Sequence, residues 1–255
     1  MKNNFLRKAS TGLLIFLFWI AVWYLLALIV NNDFLLPTPH SSVIALFELM
    51  KESDFYKSIA FTFLRVICGV ILGVIFGILL AYASYKIVIF RKTVSPLLSI
   101  IKATPVVTFI TLLWITLSGN TLTVFIAFLM VVPIIWQNIL NGYDAIPTEL
   151  SEVCDVFEFS RIKRFKLLTA PILMNYFFPA LITSIGLAWK AEIAAEIIAY
   201  TKTSIGQHIY DARYHLLTDE VFAWVIVIVT FSICLETLTK KILRRFDYAG
   251  NKKPL

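Results

Sequence analysis

The sequence has little charge, few cysteines and almost no histidine. Only 15% of its 255 residues are charged, and it contains three cysteines and three histidines. Cys68, Cys154 and Cys234 have no paired spacing, which argues against a disulfide framework or a zinc site. No GxxxxGK[ST] loop is present, so the chain cannot hold the phosphates of ATP by that motif. We therefore expect neither a cofactor nor a metal ion.

Hydrophobic residues make up 59% of the chain, and the mean hydropathy is +0.83. Six apolar runs are long enough to cross about 30 Å of hydrocarbon at about 1.5 Å per helical residue. They cover approximately residues 13–30, 58–82, 96–117, 122–140, 172–200 and 221–239. The sequence therefore predicts an all-α integral membrane protein with six transmembrane helices, forming a single domain over residues 1–255.

Lysine and arginine are distributed unevenly around these six runs. Sixteen lie near the two ends, between the second and third runs, or between the fourth and fifth, whereas four lie in the alternate segments. The positive-inside rule then places both termini and residues 148–171 in the cytoplasm. The net charge of +7 is explained by this asymmetry beside membrane lipid, so nucleic acid is not an expected partner.

Residues 148–171 form the longest strongly charged segment. Leu150, Val153, Cys154 and Phe157 recur at i, i+3, i+4 and i+7, which predicts one apolar stripe on a short, otherwise acidic helix. Ser160 can cap a second, basic helix that follows it. This pattern fits a docking platform at the membrane surface, and it also fits a solvated loop.

The same segment resembles the EAA loop of bacterial ABC importer permeases. That motif reads Glu-Ala-Ala, three residues, Gly, nine residues, then Ile-x-Leu-Pro, and its spacing matches here throughout. Glu152 and Pro171 match in identity, whereas Glu158 stands in place of the glycine. The resemblance extends over nearly the whole chain to the nitrate, sulfonate and taurine-type permeases, a subfamily that also includes thiamine-precursor importers.

This resemblance implies the fold of a type I ABC importer permease, a multi-pass protein of the bacterial cytoplasmic membrane. It implies a homodimer that works with a separate ABC ATPase subunit and an external solute-binding protein, and no catalysis by this chain. Residues 148–171 would then contain the coupling helix that contacts the ATPase. The candidate contact residues are Leu150, Glu152, Val153, Phe157, Glu158 and Arg161.

Lys190, Glu192 and Glu196 are ionisable residues within the fifth apolar run, where charge is costly. Glu192 and Glu196 share one helix face, and Lys190 points elsewhere. The surrounding Ala188-Trp189-Lys190 and Ala194-Ala195-Glu196 also resemble the permease subfamily. These residues could belong to a translocation pathway or dimer interface, or they could form an ion pair between helices; the sequence leaves both open.

Three further expectations concern the outer side of the membrane and the second span. Arg65 should extend towards lipid headgroups, and Gly69, Gly73 and Gly77 should let a neighbouring helix approach closely. Residues 207–220 contain His208, Asp211 and His215, which could ligate a metal but more simply belong to a solvated loop that touches a delivery protein. The alternative functions are a membrane-embedded enzyme and a secondary transporter.

Overall fold

The computed structural model describes the backbone of residues 2–250 and the side chains of residues 11–241. Basic residues that entered the orientation argument but lie outside the described side chains are Lys2, Arg7, Lys8, Arg244, Arg245, Lys252 and Lys253. The described backbone is all-helical. Its elements are α1 (Lys2–Val30), α2 (Pro39–Leu49), α3 (Ser53–Lys86), α4 (Val88–Ala103), α5 (Val106–Trp114), α6 (Gly119–Asp144), α7 (Thr148–Val156), α8 (Arg161–Arg164), a π-helical turn (Phe165–Thr169), α9 (Ala170–Ile198), α10 (Ile205–Tyr214) and α11 (Thr218–Gly250).

Five helical stretches in the described part are long and apolar enough to cross a membrane, and α4 with α5 could supply a sixth crossing. The third predicted span, residues 96–117, is divided between two helices, because α4 and α5 meet at an angle of 99°. The break falls at Thr104-Pro105. Proline lacks an N–H and forces the preceding residue into an extended conformation, and Thr104 has φ −83° and ψ 131°.

Helices α3, α6 and α9 pack together as the centre of the fold, and the close approach of α3 to α6 depends on glycine. A Cβ atom added at Gly69 would lie 2.5 Å from the Cβ of Ala127, and one at Gly73 would lie 2.6 Å from the Cβ of Val131. Gly77 faces Ile135 in the same way. The prediction that three glycines four residues apart admit a neighbouring helix is therefore confirmed.

Two buried tryptophans connect the central helices to their neighbours through polar contacts. The Trp136 indole N–H donates to Ser84 Oγ at 2.9 Å, joining α6 to the end of α3. The Trp189 indole N–H donates to the Ile228 carbonyl oxygen at 3.3 Å, joining α9 to α11. Each bond satisfies the polar end of a large apolar side chain, so both rings can be buried without an orphaned donor.

Candidate functional site

Helix α7 lies between the end of α6 and the basic turn of α8, and it leaves an apolar face uncovered. The side chains of Leu150, Val153 and Phe157 are 47%, 46% and 69% exposed. Cys154, the fourth member of the predicted stripe, is buried instead. The face therefore has two parts: Cys154 packs against the protein, and three larger side chains are left available.

The end of α7 is closed by a Schellman motif centred on Glu158. The Phe159 N–H donates to the Cys154 carbonyl oxygen at 2.9 Å, and the Glu158 N–H donates to that of Asp155 at 3.1 Å. Glu158 has φ +50°, in the left-handed region that normally favours glycine. A glutamate thus adopts the conformation for which the EAA motif has glycine, and it does so at a cost of about 1 kcal/mol.

Charged contacts fix α7 relative to the rest of the chain. Arg164, in α8, donates to Asp155 Oδ1 at 2.6 Å and to Ser151 Oγ at 2.6 Å. The predicted Ser160 cap is present, since its hydroxyl oxygen accepts from the Lys163 N–H at 3.3 Å. The acidic helix and the basic helix therefore form one unit, the α7–α8 platform (residues 148–164), and its members Glu152 and Arg161 are both exposed.

A second polar region lies near the opposite ends of α3 and α9, where Glu196 is fully buried. Its carboxylate accepts from Arg65 Nη1 at 2.9 Å and from the Thr62 hydroxyl at 2.8 Å. The Gly206 N–H donates to the other oxygen at 3.1 Å. The expectation that Arg65 extends towards lipid headgroups is wrong, because this carboxylate offers the guanidinium a partner inside the protein.

The remaining donors of Arg65 extend this region, which we call the Glu196 cluster (Thr62, Arg65, Asn120, Glu196 and Gly206). Arg65 Nε donates to Asn120 Oδ1 at 2.9 Å, and Nη2 donates to the carbonyl oxygen of Lys202 at 3.0 Å. One buried ion pair thereby connects α3, α6, α9 and the start of α10. Its charges are satisfied by hydrogen bonds, which is the condition under which a buried pair is tolerated.

Glu192 and Lys190 occupy different environments from Glu196. Glu192 is fully buried, and neither of its carboxylate oxygens has a hydrogen-bond partner among the described residues. Lys190 is exposed on the other face of α9, beside a groove of about 280 Å³ that is also lined by Ser232 and Glu236. Of the three candidates, the structure places only Glu196 in an ion pair between helices.

Residues 207–220 do not form the solvated loop that the sequence suggested, because residues 205–214 fold as α10 and pack against α9 and α11. His208 lies 3.0 Å from Ser58 Oγ and stacks on Trp224 with ring centroids 4.9 Å apart. Asp211 accepts a hydrogen bond from the Tyr200 hydroxyl at 3.0 Å, which raises the pKa of the Tyr200 phenol. His208 and Asp211 thus have structural partners within the helical assembly.

Sequence reasoning missed Arg65 and Asn120 as members of the Glu196 cluster. A usable signal was present, since an arginine in one apolar helix and a glutamate in another should pair when both are withheld from water. Asn120 gave no such signal, because its position at the start of α6 is equally typical of a turn.

The fold and the polar platform between two spans define an all-helical, multi-pass membrane protein. Residues 69–248 match the model of the family described as "Binding-protein-dependent transport system inner membrane component". The chain therefore belongs to this family. Membership implies a separate ATPase subunit and a solute-binding protein as partners.

Two named relatives align over most of the chain. A Bacillus subtilis protein named for aliphatic sulfonate transport, SsuC, is 25% identical over 94% of this chain and 89% of its own length. The nitrate import permease protein NrtB of Leptolyngbya laminosa is 26% identical over 76% of this chain and 70% of its own length. A third relative aligns over a shorter stretch: the bicarbonate transport system permease protein CmpB of Synechococcus elongatus is 31% identical over 44% of this chain and 41% of its own length.

The fold is similar to that of a solved importer. An inward-facing structure of the MetNI methionine ABC transporter aligns over 74% of this chain and 93% of the matched chain. The TM-score is 0.57 at 17% sequence identity, so this likeness supports the fold alone. The family identifies the protein as the transmembrane, non-catalytic subunit of an ATP-driven importer in the inner membrane. The family assignment excludes the alternatives of a membrane-embedded enzyme and a secondary transporter.

Proposed function

We propose that α7 is the coupling helix of this permease and that Leu150, Val153 and Phe157 are buried by the ATPase subunit. The observation that carries the proposal is the uncovered apolar face of α7, which no described part of the chain covers. Glu152, Glu158 and Arg161 surround it with charge. An apolar centre within a polar rim is the usual composition of a protein interface.

The test is co-purification of the ATPase subunit with the Phe157→Ala variant. A central aromatic residue at an interface commonly contributes about 2 kcal/mol or more, so we expect affinity to fall by about thirtyfold or more. Phe34→Ala is a matched control, because Phe34 is 68% exposed, close to the 69% of Phe157, but lies in the segment between α1 and α2. Equal loss in both variants, or unfolding of Phe157→Ala, would contradict the proposal.

We infer that both termini and the α7–α8 platform face the cytoplasm. The bias of sixteen lysines and arginines to four supports this orientation. In a background without the three native cysteines, Lys202→Cys should react with an impermeant thiol reagent from outside sealed cells, and Lys163→Cys should not. Both positions are exposed, so the reverse labelling pattern would overturn the orientation.

We propose that two copies of the chain form the pathway. Support comes from the resemblance of the sequence to the nitrate, sulfonate and taurine-type permeases, which implies a homodimer. Native mass spectrometry of the purified importer should find two copies of this chain per complex, and a single copy would contradict the proposal.

We propose a small oxyanion as the solute. The three relatives are named for aliphatic sulfonates, nitrate and bicarbonate, all of which are anions. Lys190 beside its groove is a candidate cation for the pathway. Glu192 is not a cation, but its burial makes it a second candidate residue of the pathway. Thermal unfolding of the partner binding protein should shift upwards with methanesulfonate, nitrate or bicarbonate; a shift only with neutral or cationic solutes would exclude this class.

A further inference from the structure

A cavity of about 730 Å³ lies where α3 and α6 end and α8 begins, on the same side of the protein as α7. Its lining combines cations with aromatic rings. The residues are Tyr82, Tyr85, Lys86, Tyr143, Ile146, Arg161, Arg164, Phe165 and Thr169. Five of them belong to the two helix ends and the segment after them, and four belong to α8 and the π-helical turn, so the cavity connects the spans to the α7–α8 platform.

The three tyrosines form an aromatic wall on which Lys86 rests. Tyr85 stacks on Tyr143 with ring centroids 4.4 Å apart and planes 12° apart. The Lys86 ammonium lies 5.3 Å from the centroid of the Tyr85 ring and 5.9 Å from that of the Tyr82 ring. A cation held over aromatic faces keeps its charge available to an anion, because a ring offers no full countercharge.

The charge of the cavity is not balanced by its own lining, which contains no acidic residue. Arg164 is neutralised by Asp155, and nearby Asp144 is occupied by Arg91 at 2.7 Å. No carboxylate among the described side chains pairs with Lys86 or Arg161. Two uncompensated cations therefore border one cavity.

The backbone adds an independent sign that this region is specialised. Phe165–Thr169 is a π-helical turn inserted between α8 and α9, and such turns occur frequently at functional sites. It places Phe165 and Thr169 in the lining with Arg161 and Arg164. Cations, phenol hydroxyls and apolar groups thus surround the same space at the end of the spans.

We propose that this cavity binds the phosphate and glycerol headgroup of an anionic phospholipid. Basic pockets between transmembrane helices are suited to lipid phosphates, and each cation near a membrane surface contributes about fivefold in affinity. Lys86 and Arg161 would contact the phosphate oxygens, and Ile146 and Phe165 would contact the first carbons of the acyl chains. The proposal shares Arg161 with the rim of the proposed ATPase contact, but Leu150, Val153 and Phe157, which form the apolar face of α7, do not line the cavity.

The test is native mass spectrometry of the full-length protein with phosphatidylglycerol or phosphatidylcholine. We expect phosphatidylglycerol to be retained preferentially, and Lys86→Gln with Arg161→Gln to weaken that retention by about thirtyfold. The matched control is Lys163→Gln with Lys166→Gln, which removes the same charge from exposed positions outside the lining. It should retain the lipid.

Three outcomes would overturn the proposal. Equal retention by both double variants would mean that the cavity is not the lipid site. Equal retention of the two lipids by the unchanged protein would remove the requirement for negative charge. Displacement of phosphatidylglycerol by an equal concentration of inorganic phosphate would assign the cavity to a soluble anion instead. Thermal unfolding of each variant checks that the loss is not due to misfolding.

Discussion

The Glu196 cluster and the α7–α8 platform lie at opposite ends of the same helices, and they treat their polar and apolar groups in opposite ways. In the cluster, a fully buried carboxylate has three donors, from two side chains and one backbone N–H. In the platform, charged groups are exposed and three apolar side chains are uncovered. In the first region the polar groups are satisfied within one chain, whereas the second region has the composition of a protein–protein interface. Mutations should therefore change stability in the first region and association in the second.

The largest effect should come from breaking the ion pair at its cationic end. Arg65→Met leaves Glu196 buried with its charge uncompensated, which typically costs about 3–5 kcal/mol. Arg213→Met is the control, because Arg213 is exposed and only lies over the Tyr210 ring at 5.5 Å. Unfolding in detergent, followed by circular dichroism, should show the loss for Arg65→Met alone. Similar unfolding midpoints for the two variants would show that the cluster is not a source of stability.

Substitution at the carboxylate end of the ion pair should destabilise the protein less than Arg65→Met, because Glu196→Gln removes the charge but keeps the side-chain shape. An amide at this position still accepts from Thr62 or Gly206, and it leaves Arg65 with its bonds to Asn120 and to backbone oxygens. Glu52→Gln, on an exposed residue, is the control in a transport assay at matched expression. Equal transport by both variants would mean that the charge of Glu196 contributes nothing to function.

A smaller effect is expected where the backbone of α10 contacts α9. A Cβ added at Gly206 would lie 2.3 Å from the Cβ of Glu196 and 2.6 Å from the backbone nitrogen of Ile197. Gly206→Ala should therefore cost about 1–3 kcal/mol through overpacking. Gly186→Ala is the matched control within α9, since no atom lies within 4 Å of its added Cβ. A helix interior favours alanine, so this control should be neutral or stabilising; equal destabilisation would contradict the packing argument.

The number and order of the apolar helices could be predicted from the sequence, because hydrocarbon thickness imposes a minimum length on each run. The glycine face of α3 was also predictable, since a spacing of four residues places Gly69, Gly73 and Gly77 on one side. The sharpness of the break at Pro105 was not predictable, because proline can either kink a helix or end it. Pro133 lies within α6, for example, without ending the helix.

The functional regions were predictable to different extents. The apolar stripe of α7 follows from helical periodicity, but periodicity cannot say that Cys154 turns inwards while Phe157 stays exposed. The partner of Glu196 depends on tertiary contacts between residues 131 positions apart, which no local pattern encodes. Ion pairs across helices become predictable only when every ionisable residue within the spans is considered for pairing.

The smallest expected effect on stability comes from a substitution at Glu158, in the turn that ends α7. Glu158 closes α7 with φ +50°, and glycine there would relieve about 1 kcal/mol of left-handed strain. In Glu158→Gly, the amides of Glu158 and Phe159, which close the Schellman motif, should therefore exchange about fivefold more slowly with solvent. Leu216→Gly is the matched control, because Leu216 has φ +60° in the same motif at the end of α10. Relief of the strain at Leu216 should slow amide exchange at the end of α10 and leave ATPase binding unchanged.

At Glu158, by contrast, the exposed carboxylate borders Phe157, so we expect the Glu158→Gly variant to bind the ATPase more weakly although its turn is more stable. A variant that is both more stable and better at retaining the ATPase would show that Glu158 serves only the turn and takes no part in the contact.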